Sequence, residues 1–139
     1  MTNEAKLIVE TQLAVPMTCA EDTGIAKGAL LQLADLNTVS IASADAAVVG
    51  GIAKSEKIAS DGMVRIDVYR GGIFRVIASG AISVGDALYL DGDGLNYVYA
   101  DVNSATASGS IIIGTAMETA ADEETFLMEL NIQVQTDSR

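Results

Sequence analysis

The chain contains no histidine and no tryptophan, one cysteine (Cys19), one proline (Pro16), and only four tyrosines and two phenylalanines in 139 residues. Without histidine there is no Ser-His or Cys-His nucleophile pair, no usual neutral-pH base and no His-containing zinc site. A single cysteine permits neither an intrachain disulfide nor a thiolate metal site within one chain. No run approaches the ~18 apolar residues of a membrane-spanning helix, and Met1 to Glu10 lacks the cationic head and apolar stretch of a secretory leader. These absences predict a protein made and kept in a reducing, soluble compartment.

Positive charge is scarce as well. Eight basic residues oppose nineteen acidic ones, for a net charge of −11. Nucleic-acid affinity rests mainly on Lys and Arg neutralising phosphates, so no nucleic-acid partner is expected. An anionic membrane surface is disfavoured for the same reason, whereas strong net charge favours solubility.

Apolar residues make up 50% of the chain, enough for a real core. With 4% aromatics, that core is built from small and β-branched side chains, which suits closely spaced strands. Period-2 alternation dominates. Phe126, Met128, Leu130, Ile132 and Val134 alternate with mostly polar neighbours, and Val64, Ile66 and Val68 repeat the pattern, as strands with one buried face do. Further strands are predicted at 29–33, 39–42, 48–53, 72–78, 87–90, 97–100 and 110–117. The run Asp91-Gly92-Asp93-Gly94 reads as a hairpin turn. Only 55–60 and 43–47 suit a helical turn. The reading is an all-β chain.

A weak internal duplication organises it. Ile25, Gly28, Leu31 and Leu33 recur at the same spacing as Ile82, Gly85, Leu88 and Leu90, and 48–53 resembles 111–116. Each of 48–53 and 111–116 is followed by a polar turn and then a long alternating strand. This order predicts two similar β-units closing into one small antiparallel barrel of tulip-like shape, a single domain over 1–139. Pro16 then ends an N-terminal segment, 6–15, lying outside the barrel.

Three motifs resemble chemical sites. Gly50 to Ser55 echoes a phosphate-binding loop, but Ala53 precedes Lys54 and Val48 replaces the first glycine. Asp91 and Asp93 hint at a cation, yet Asn96 and Val102 stand where a calcium loop needs Gly and Glu. Asp122, Glu123, Glu124 and nearby Glu118 read as a solvated turn rather than an acid/base pair. No enzyme activity and no cofactor or metal is expected. Two features suit binding. Leu7, Ile8 and Val9 form either the first strand or an arm that adds an edge strand to a neighbouring chain or target. Arg65, Arg70 and Arg75 hold three of the eight basic charges and could pair with acidic patches on a partner.

The segments Gly24–Gly28–Leu31–Leu33, Val49 to Ala53, Gly71 to Phe74, Gly85 to Asp91 and Ile112 to Ala116, in this order, resemble a family of small bacteriophage proteins that act as capsid cement or decoration proteins. The resemblance covers roughly Ala5 to Val134. Such sequences have also been called predicted phage recombinases, a label the missing phosphate-binding loop does not support. The resemblance implies a homotrimer on the outer surface of the head, bound to the major capsid protein and clamping neighbouring capsomers. It also implies a virion protein assembled in the host bacterial cytoplasm. It carries over no catalytic residues. The rival reading from the residues is a monomeric β-barrel binding carbohydrate or peptide, which would want an aromatic-rich cleft. An enzyme using Asp and Glu alone is a further alternative.

Overall fold

The computed structural model describes residues 3–35, 37–43, 48–91, 96–100 and 111–134. These form eleven strands and no helix. In chain order they are β1 (Lys6–Val9), β2 (Val15–Thr18), β3 (Leu30–Asp35), β4 (Thr38–Ile41), β5 (Val49–Ala53), β6 (Arg65–Tyr69), β7 (Gly71–Ala78), β8 (Ala87–Leu90), β9 (Tyr97–Tyr99), β10 (Ile111–Ala116) and β11 (Thr125–Val134). The predicted strands all appear. The stretch 55–60 holds a bend, a bridge and a turn instead of helix, while 44–47 and 92–94 lie outside the described residues.

The duplication is structural, but each unit closes on itself, giving two barrels where the sequence suggested one. Strands β2-β4-β3-β5-β6 form the first ring, and β7-β9-β8-β10-β11 repeat it strand for strand. Each ring has four antiparallel pairings and is sealed by one short parallel one, Thr18 beside Thr38 in the first and Ile77 beside Tyr97 in the second. The turns are copied too. Gly28 N–H donates to Ala53 O at 2.9 Å, and Gly85 N–H to Ala116 O at 2.8 Å. Ile25 bridges Lys57 as Ile82 bridges Ala120. Five short strands enclose little volume, so the small side chains that the composition supplies suffice to fill each ring.

The sequence reading missed β2, the sealing strand of the first ring. Four residues interrupted by Pro16 carry too little alternation to be recognised. The segment 6–15 is therefore not one arm: Lys6–Val9 joins the second barrel, and Val15 opens the first.

Alternation decides what is inside. Met17, Ile25, Leu31, Val39, Ala53, Ile66 and Val68 fill the first barrel. Their repeat partners Val76, Ile82, Leu88, Val98, Ala116, Phe126 and Met128 fill the second. Leu30, Val49, Ile52 and Tyr69, from the first barrel, belong to the same buried cluster as the second barrel's core. Strand β5 is thus buried along its whole length, covered on one face by its own barrel and on the other by the neighbouring one. The ring of Tyr69 meets Phe74 edge-on at 5.6 Å across this seam.

Glycine marks where strands crowd. A Cβ on Gly51 would collide with Tyr69 O, and one on Gly114, its repeat partner, with Glu129 O. A polar clip joins the barrels. Asn96, before β9, accepts from Leu30 N–H at 2.8 Å and donates to Asn3 O at 2.7 Å and Gly28 O at 3.0 Å.

Candidate interaction surface

Strand β1 lies antiparallel on the first half of β7, on the edge that β9 occupies further along, with Lys6 opposite Arg75 and Leu7 opposite Phe74. Its start is tied to the first barrel by Ala5 N–H donating to Gly28 O at 3.1 Å. Its outer edge has no ladder partner among the described residues. Leu7, Ile8 and Val9 are 38%, 51% and 47% exposed. An apolar strand edge left open in this way is a template for another chain.

The matching edge of the first barrel is treated differently. Cys19 N–H donates to Val64 O on the β6 side, and Thr18 N–H to Asn37 O on the β4 side at 2.6 Å. Alternation then turns residue 16 towards the β4 side, where β2 has no partner beyond Thr18. A proline there removes the one N–H that an added strand would use. A cleft of about 530 Å³ lined by Val15, Pro16, Met17 and Leu33 runs along this edge.

The three arginines sit in three environments. Arg75 is on β7 beside β1 and pairs with Glu118 at 3.8 Å, so it shares one ribbon with Leu7, Ile8 and Val9. Arg70 is half-buried and donates to Gly50 O at 2.9 Å, which commits its guanidinium to β5. Arg65 is exposed on β6, lining a cleft with Asp61 and Asp67.

Charge of the other kinds is mostly structural. Lys57 is buried, its side chain 2% exposed, and donates to Glu21 O at 2.8 Å and Asp61 at 3.3 Å. The Met63 N–H and then Lys57 hold the Asp61 carboxyl below its usual range. Burial raises the Cys19 thiol. The acidic run caps backbone, with Asp122 accepting from Gly80 N–H, Glu124 from Ala121 N–H and Glu118 from Leu127 N–H. The phosphate-loop look-alike is β5 running into a bend. No group of three metal-ligating side chains occurs among the described residues, and Asp93 lies outside them.

The lysines are what the sequence reading overlooked. Lys6, Lys27 and Lys54 line one cleft of about 430 Å³ between β1 and the first barrel, above Leu7, Tyr69 and Phe74. They stand at positions 6, 27 and 54, so no sequence spacing links them. Only the Ala5–Gly28 contact and the closed ring bring them together.

Two barrels that repeat one another, joined by a shared core and with the outer edge of β1 open among the described residues, define a duplicated β-barrel protein. The chain belongs to the phage cement protein family, whose family model matches residues 8–132. Its fold is similar to that of the head fiber gp8.5 N base of bacteriophage phi29, with a TM-score of 0.55 and 18% identity, over 86% of this chain and 93% of that one. No curated protein matches.

Proposed function

We propose that this protein decorates the outer surface of a phage head as a homotrimer, binding the major capsid protein and stabilising contacts between capsomers without any enzymatic step. Membership of the cement family carries the reading, and the open edge of β1, with Arg75 beside it, offers a contact. Three copies of one weak patch on a lattice of matching symmetry combine by effective concentration, raising avidity by roughly 10² or more. Binding the mature shell alone would stabilise it by about 3–4 kcal/mol near saturation. The net charge of −11 suits a place outside the shell, away from packaged polyanion.

Light scattering on the purified protein tests the first half: a mass of three times 14.4 kDa is expected. Co-sedimentation with undecorated heads, and their thermal rupture with and without the protein, tests the second. A monomer that neither sediments with heads nor shifts their rupture would refute the reading.

A further inference from the structure

Three of the chain's eight basic residues, Lys6, Lys27 and Lys54, line the same cleft in a molecule of net charge −11. None has an ion-pair partner among the described residues. The fourth lysine, Lys57, is buried and satisfied internally, so the contrast lies within one residue type. The cleft has one acid, Glu4, leaving an excess of positive charge.

The barrel fold does not call for these lysines. The repeat places Val84 where Lys27 stands and Met117 where Lys54 stands; both are exposed, and the second barrel closes all the same. Lys6 belongs to β1, which has no counterpart in the other barrel. Like charges gathered without a structural need repel one another and cost stability, which points to a ligand that offsets the repulsion.

The floor of the cleft indicates which anion. Leu7 is exposed there above the buried Tyr69 and Phe74, an apolar contact beside the lysines that suits a partner alternating acidic and apolar side chains better than a bare phosphate. Ammonium groups on flexible stems act as adaptable point charges, able to meet carboxylates spaced along an extended segment. We infer that the Lys6–Lys27–Lys54 cleft binds an acidic polypeptide segment of the protein that this chain decorates. The inference rests on the decoration reading for the identity of that partner.

The test is fluorescence anisotropy of the full chain with a labelled octapeptide of alternating Glu and Val, against the same peptide with Gln for Glu. The Glu peptide is expected to bind, more weakly as salt rises, and the Gln peptide to fail. A K6A/K27A/K54A variant, melting as the wild type does, should lose roughly tenfold in affinity, and the K6R/K27R/K54R variant should recover it. Absence of binding to wild type, equal binding of the Gln peptide, an unaffected Ala variant, or tighter binding of a single-stranded oligonucleotide of equal charge would each overturn the cleft assignment. Head co-sedimentation separates this from the broader reading. Wild type that sediments with heads but ignores the peptide refutes the cleft alone. Wild type that binds the peptide but not heads refutes decoration, and with it the partner named here.

Discussion

The two barrels share a topology, turn hydrogen bonds and crowded glycines, yet hold different chemistry. Where the first has Lys57, sealed by Asp61 and Glu21 O, the second has Ala120. Ile66 in the first core corresponds to Phe126 in the second. The first guards its open edge with Pro16; the second covers part of the same edge with β1. Because one chain contains the fold twice, what is common to both copies is what the fold requires. What differs is free to serve something else, and the lysine cleft, the proline and the strand β1 are all differences.

The largest effect is expected where the copies agree. Gly51→Ala and Gly114→Ala each drive a Cβ into a backbone carbonyl of the adjacent strand, and Gly51 adds a φ of 134° that L side chains rarely adopt. Each should cost more than about 4 kcal/mol or prevent folding. Urea unfolding checks this, and tolerance at either site would mean that the repeat is looser than its geometry.

The next effect asks whether the copies are separable. Phe126→Ala should cost about 3–5 kcal/mol and Ile66→Ala about 2–5 kcal/mol. With Leu30, Val49, Ile52 and Tyr69 shared across the seam, each variant is expected to unfold in one shifted transition followed equally by far-ultraviolet circular dichroism and tyrosine fluorescence. Two transitions in either variant would make the barrels independent units.

Much of this was readable in the sequence. The I-x-x-G-x-x-L-x-L repeat reports a turn glycine and two inward leucines, and long strands such as β11 declare themselves by alternation. What stayed hidden depends on closure. Val15–Thr18 is too short to announce the parallel contact that seals a ring, so the duplication suggested halves of one barrel. The lysine cleft stayed hidden because its members are joined by tertiary contacts. Arg70, by contrast, looked available in sequence but donates to a carbonyl of β5; nothing in its neighbours Tyr69 and Gly71 signals that.

Asparagine gives a smaller and sharper contrast. Asn37 and Asn96 occupy the same repeat position with φ of 53° and 67°, a conformation that suits Asn and Gly. Asn37 is exposed, whereas Asn96 is buried and makes the inter-barrel clip. Replacing each by Gly keeps the backbone and removes the side chain. Asn96→Gly should cost about 1–3 kcal/mol, since Leu30 N–H loses its acceptor and Asn3 O and Gly28 O each lose a donor, while Asn37→Gly should change the melting temperature little. Equal effects would place the clip's contribution in the backbone.

The smallest effect concerns the Lys57–Asp61 pair, which has no copy in the second barrel, where Ala120 stands in place of Lys57. Asp61 has its folded pKa lowered by the Met63 N–H and by Lys57, so the carboxylate favours the folded state only while it is ionised. That contribution is complete above the unfolded value of 3.8 and disappears as pH falls through the lower folded value. Asp61→Asn should therefore melt slightly below wild type at neutral pH, and the gap should close in strong acid. Exposure to solvent keeps the gap small. A gap that persists below the folded pKa would mean that Asp61 acts through the shape of its turn, with Lys57 satisfied by the carbonyls of Glu21 and Ile58 alone.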